Sequence, residues 1–130
     1  MILVDTSVWV DHLRGVDTAL AAELERGAVL MHPFVVGEIA CVSLRDRAAI
    51  LELLQDLPTA VAADSAEVLG FIERHGLHGK GIGYVDVHLL ASVALTAASR
   101  LWTRDKRLHA AAQDWAWPTR ARARTDPHPA

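Results

Sequence analysis

The sequence predicts an α/β fold: a mostly parallel central sheet with helices on both faces. Three observations carry this expectation. Short apolar runs at 2–4, 28–31, 59–62 and 100–103 alternate with longer amphipathic segments, as in strands joined by helical crossovers. Helix punctuation falls between them, with Thr6 or Ser7, Pro33 and Ser65 at starts and Gly15 and Gly27 at stops. The 130 residues are 52% hydrophobic and 22% charged, which suits one domain with a buried core and excludes a disordered chain.

The elements follow in order. Residues 2–4 form a buried strand ending at Asp5, and a helix capped by Thr6 or Ser7 runs to His12 or Leu13. A second helix over 18–26 ends at Gly27, and 28–31 form the next strand. Pro33 opens a helix carrying Glu38. Residues 46–57 read as a helix with Ile50, Leu53, Leu54 and Leu57 on one stripe. A weak strand at 59–62 precedes a helix over 65–74 and a Gly-rich loop over 75–80. A long apolar helix over 84–98, a strand over 100–103 and a helix over 105–113 complete the domain, taken as residues 1–117. Residues 118–130 read as a basic, flexible tail.

Four carboxylates stand where apolar sequence surrounds them. Asp5 is the only charge in residues 1–10, Glu38 the only one in 33–44, and Asp86 the only one in 81–99; Asp105 closes the run RLWTRD. A buried, unpaired carboxylate costs several kcal/mol, and no Lys or Arg neighbours the first three in sequence. A hard divalent cation gathering them would supply the missing charge. In an α/β sheet ligands bind at the carboxyl edge of the strands, where the following helices begin. Asp5 and Asp105 follow strands, while Glu38 and Asp86 lie in early helical turns, so topology directs all four to one rim. Each alone is accounted for by the helix dipole, which favours acids at N-termini. Four at one rim are not.

Charge is divided along the chain. Residues 1–99 hold six Lys and Arg against thirteen Asp and Glu, whereas residues 100–130 hold seven against three. The basic end, with Arg104, Lys106, Arg107, Arg120, Arg122 and Arg124, is either a solvated terminus or a patch that steers phosphate. Segment 81–99 has the length of a membrane span, but a mid-membrane Asp costs at least about 2.5 kcal/mol, and Asp86 excludes that reading. Asp5 interrupts the N-terminal apolar run before a secretory segment forms. Cys41 has no disulfide partner and reads as a small core residue. The expectation is a cytoplasmic protein with no membrane association.

The runs ILVDTSVWVDHLRG, GEIA, GIGYVDVHLLASVA and LWTRDKRL, in this order, resemble a PIN-domain ribonuclease of the VapC toxin type. The resemblance covers essentially the whole chain. It implies an Mg²⁺- or Mn²⁺-dependent endoribonuclease cutting single-stranded RNA, a homodimer, and a cognate antitoxin partner. The family's acids fall on Asp5, Glu38, Asp86 and Asp105, and its supporting hydroxyls on Thr6 or Ser7 and on Thr103.

The chemistry suits these residues. Mg²⁺ prefers one or two carboxylates with waters and phosphate oxygens, and a bound ion both acidifies water and offsets phosphoryl charge. Asp5 and Asp86 are expected to anchor the metal, Asp105 to complete the site and Glu38 to hold or deprotonate the attacking water. Thr103 and Ser7 would hydrogen-bond the carboxylates. Arg14, Arg104, Lys106 and Arg107 are candidates for RNA contact. Trp9 and Trp102 read as core, Trp115 and Trp117 as core, stacking or partner contacts, and His75 and His78 as solvent-facing. Two alternatives remain at this point: a phosphatase-like domain with Asp5 as nucleophile, although Ser7 stands where such sites carry a second acid, and an inactive PIN-fold binding module.

Overall fold

A computed structural model describes residues 1–114; the 118–130 tail, Trp115 and Trp117 lie outside the described residues. Strand β1 (Ile2–Val4) is the centre of a three-stranded parallel sheet, flanked by β2 (Val29–Leu30) and β3 (Arg100–Trp102). Ile2 pairs with Val29 and Arg100, Leu3 with Leu30 and Leu101, and Val4 with Trp102. A strand paired on both edges and covered on both faces must be apolar throughout, and Ile2, Leu3 and Val4 are at most 2% exposed. Each such side chain contributes roughly 1.5–3 kcal/mol by leaving water.

Among the described residues seven helices enclose the sheet: α1 (Thr6–Leu13), α2 (Ala19–Glu25), α3 (Pro33–Ala40), α4 (Arg47–Gln55), α5 (Ser65–His75), α6 (Tyr84–Leu95) and α7 (Lys106–Asp114). Helix α6 is the central one. Every residue from Val87 to Val93 is buried, which accounts for its nearly uncharged sequence. Helix α5 is a peripheral helix with local sequence control. Asp64 and Glu67 form a reciprocal capping box, and Gly76 leaves the helix at φ 59°, the left-handed geometry that glycine adopts without cost.

Several expectations are corrected. The strand at 59–62 reduces to one bridge, Met31 to Thr59. The Met31 amide donates to Pro58 O and the Ala60 amide to Met31 O, but the Val61 amide turns away to Thr96 Oγ1, ending the pairing. Helix α6 stops at Leu95 instead of 98, because Ser99 Oγ donates to the carbonyls of Val93 and Thr96 and draws the chain out of the helix. Leu53 is 67% exposed; α4 buries Leu54 and half-buries Ile50 and Leu51, and Leu57, past the end of the helix, is half-buried. Cys41 is exposed at the C-cap of α3, since Val35 and Ile39 define that helix's buried face and Cys41 lies about 200° round from Ile39. His75 belongs to the last turn of α5 and is half-buried against Phe71, with ring centroids 4.4 Å apart.

Candidate active site

Asp5 sits where β1 becomes α1. Its amide donates to Trp102 O, continuing the β1–β3 pairing by one residue, and its extended backbone (φ −68°, ψ 155°) makes it the N-cap of α1. Oδ1 accepts the Thr6 N–H at 2.7 Å, while Oδ2 accepts the hydroxyls of Thr103 at 2.7 Å and Ser7 at 3.2 Å. Asp5 is buried, and these donors are what make a desolvated carboxylate tolerable there.

The turn after β3 supplies the second acid. Thr103 Oγ1 donates to Asp5 while accepting the Asp105 N–H at 3.0 Å, so one hydroxyl couples the two acidic residues. Asp105 Oδ1 accepts the N–H groups of Arg107 and Leu108, both at 2.9 Å, capping α7. The Arg104 amide donates to Ser7 Oγ, tying this turn to α1.

The other two acids arrive on helices. Glu38, in the second turn of α3, accepts the Thr6 hydroxyl at 2.6 Å and is exposed. Asp86 is the third residue of α6, and its Oδ2 accepts the Gly83 N–H at 3.0 Å. Burial raises the Asp86 carboxyl above its usual range, and the negative charges of Asp5, Asp105 and Glu38 push it further in the same direction; the Gly83 hydrogen bond opposes them. That mutual repulsion places all four acids in one electrostatic neighbourhood. Only Asp5 is fully buried; Asp86 is half-buried, and Glu38 and Asp105 are exposed, so the apolar sequence around the latter two does not enclose them.

The acids fit an open metal site better than a closed one. Among the described residues no three His, Cys, Asp or Glu side chains form a ready-made cage. Glu38, Asp86 and Asp105, each held by donors on one oxygen, together with Asp5, held on both, are a donor set for a hard cation that keeps much of its water.

The cationic candidates separate. Arg104 is clamped by two acids, Asp11 Oδ2 at 3.0 Å from Nε and Asp17 Oδ2 bonded to Nη2. Arg14 is exposed at the far end of α1, on the order of 14 Å along the axis from its N-cap. Lys106 is exposed in the first turn of α7. Arg107 lies across the loop that leads to Asp86: a Cβ on Gly81 would meet Arg107 Cδ at 2.7 Å and Nη1 at 2.9 Å. No ion pair occupies Arg107 among the described residues.

Sequence reasoning missed two arrangements. One is the pairing of Arg104 with Asp11 and Asp17, which sequence separation hides. The other is an aromatic cluster on the two helices that carry Glu38 and Asp86. Phe34 and Tyr84 each lie 4.6 Å from the buried His88 ring, and His32 lies 5.2 Å from Phe34. The spacing of Phe34 to Glu38, one helical turn, was the available signal. Trp9 and Trp102 are buried, in keeping with core roles.

Comparison with known proteins identifies the family. A family profile described as PIN domain matches residues 2–114, which contain all four acids. The chain is 48% identical over 111 residues to the protein named Ribonuclease VapC32 from Mycobacterium tuberculosis strain CDC 1551 / Oshkosh, covering 85% of this chain and 90% of that relative. The protein of the same name from strain ATCC 25618 / H37Rv gives the same identity and coverage. With a match across nearly every described residue and close to half of the aligned positions identical, the chain belongs to the PIN-domain family.

Proposed function

We propose that this protein is a VapC-type endoribonuclease, the toxin of a toxin–antitoxin pair, cutting RNA phosphodiester bonds with Mg²⁺ or Mn²⁺. The observation that carries the reading is the convergence of Asp5, Glu38, Asp86 and Asp105 on one rim: Thr6 joins Asp5 to Glu38, Thr103 joins Asp5 to Asp105, and all three charges act on Asp86. The ribonuclease name of relatives 48% identical supports the choice of RNA as substrate. A cytoplasmic homodimer inhibited by a cognate antitoxin protein completes the reading; no described helix is long and apolar enough to cross a membrane.

Asp5 and Asp86 would hold the metal, with Asp105 completing the site directly or through water. When bound, the ion lowers the pKa of a water and offsets charge gathering on the phosphoryl oxygens. Thr103, Ser7 and the Thr6 amide hold Asp5 in orientation by donating to it. Glu38, steadied by the Thr6 hydroxyl, accepts the proton of the attacking water. Arg107 contacts a flanking phosphate, while Lys106 and Arg14 add long-range attraction; Arg104, held by Asp11 and Asp17, braces the β3–α7 turn.

The test is cleavage of single-stranded RNA. Mg²⁺ or Mn²⁺ should support turnover, EDTA should stop it, and Asp86→Asn should abolish it while the chain stays folded by circular dichroism. Metal-independent cleavage, or a folded Asp86→Asn protein cutting at the parental rate, overturns the assignment. Hydrolysis of simple phosphate monoesters without RNA cleavage would instead favour a phosphatase.

A further inference from the structure

Two exposed aromatic rings stand in the first turns of the helices that carry Glu38 and Asp86. Phe34 is 39% and Tyr84 47% exposed, yet both are fixed in orientation by the same buried imidazole, His88, at interplanar angles of 64° and 88°. Scattered exposed apolar residues need no explanation, but a braced pair does. Their position relates them to the acids. Phe34 lies one turn before Glu38 on α3, and helical side chains lean toward the N-terminus, so its ring projects toward the rim. Tyr84 follows Gly83, whose N–H holds the Asp86 carboxylate.

The charge distribution decides what this wall can hold. Neither α3 (PFVVGEIA) nor α6 (YVDVHLLASVAL) contains a Lys or Arg, and both carry one of the rim's acids. A polyanion cannot be gripped here through its phosphates. Stacking on a nucleobase requires no charge, works for any base, and loses little entropy when the rings are already fixed.

We propose that Phe34 and Tyr84, braced by His88, form a nucleobase-stacking subsite for the RNA strand whose phosphate enters the acidic rim; the inference rests on the nuclease reading above. The strand is then held by bases on the α3–α6 side and by phosphate on the Arg107 side. These two rings are substrate-positioning residues, and they take no part in the proton or phosphoryl transfer.

The experiment measures anisotropy of a labelled mixed-sequence single-stranded RNA, with Mg²⁺, in the Asp5→Asn background that prevents turnover. Phe34→Leu and Tyr84→Leu should each weaken Kd on the order of 5- to 100-fold, whereas Phe34→Trp should retain affinity. An abasic nucleotide moved stepwise along the RNA should cost affinity at one or two positions in the parent and nothing more in the double Leu variant. In the active chain the Leu variants should raise KM with kcat little changed. Unchanged Kd in both Leu variants, or abasic losses that persist in the double variant, overturn the subsite while leaving the nuclease reading intact. Absence of any RNA binding by the parent and of RNA cleavage by the active chain overturns both. If the Leu variants shift self-association by sedimentation while affinity per chain is unchanged, the rings are an interface between copies, and the stacking role is wrong. The abasic scan on the parent needs no folded variant, so a Leu variant that fails to fold leaves the proposal testable.

Discussion

The two sides of the acidic rim are built differently. On the β1–β3 side Asp5 is buried under three donors, Thr103 joins it to Asp105, and Arg104 clamps the turn to Asp11 and Asp17. On the α3–α6 side Glu38 has one hydroxyl donor and Asp86 one amide, both exposed bonds, with aromatic and imidazole rings as neighbours. The first side is fixed by hydrogen bonds between residues far apart in sequence. The second is fixed by packing and keeps its acids accessible. A hydrogen-bonded anchor facing a packed but accessible wall suits the proposed site, which would hold an ion on one side and admit RNA on the other.

The contrast can be broken most severely at its anchor. Asp5→Asn should reduce RNA cleavage by more than about 100-fold, beyond the usual loss for residues that merely orient a ligand, whereas Glu38→Gln should lower kcat while retaining metal affinity by calorimetry. Equal loss of metal binding in both would erase the distinction between the two sides. Thr103→Val comes next. It leaves Asp5 Oδ2 and the Asp105 amide short of a partner, so metal affinity should fall about 10- to 100-fold and stability by roughly 1–3 kcal/mol in urea.

Acid should loosen the α3–α6 side. Burial, and to a smaller degree the neighbouring His88, push His32 from 6.5 down to about 4. Folded His32 is thus neutral between pH 4 and 6.5 while the unfolded chain binds its proton there. Its contribution is fully present above pH 6.5 and declines as pH falls, by about 3 kcal/mol once pH reaches 4. Thermal melts from pH 7 to 4.5 should show this decline, and His32→Asn, which retains a capping acceptor for the Phe34 amide, should flatten it. An unchanged slope in that variant would transfer the acid sensitivity elsewhere.

The smallest effects distinguish the two arginines. Arg107→Ala should reduce the slope of log K against log salt for single-stranded RNA by roughly 0.7. Arg104→Ala should leave that slope alone and cost at most about 1 kcal/mol, as expected for half-exposed ion pairs. The reverse outcome would exchange their roles.

Much of this was legible in sequence because it is local. Strand β1 and the placement of Glu38 and Asp86 in early helical turns follow from adjacent residues and period, whereas the cap of α1 fell on Asp5, just before the Thr6 or Ser7 that the sequence suggested. What stayed hidden depends on distant partners. The third-edge strand failed because the Val61 amide found Thr96, 35 residues away. Arg104 looked like a free cation until Asp17, 87 residues earlier, met it. Cys41 and Leu53 were misplaced for a related reason: an apolar stretch shows that a face is buried, but the packing partner decides which one. The acidic constellation was readable because each acid contradicted its own neighbourhood, whereas the aromatic wall agreed with its neighbourhood and gave no such signal.

The central position of β1 also sets a schedule. Its register partners on β3 and the Thr103 hydroxyl that orients Asp5 lie about a hundred positions downstream, the hydrogen bond itself spanning 98 residues. At roughly 5–20 residues per second of synthesis, that interval is about 5–20 s on the ribosome. During it one flank of β1 has no strand to pair with, and Asp5 lacks its buried donor. The pocket is therefore among the last parts of the molecule to exist, and a nascent chain stays inert until β3 has emerged and docked.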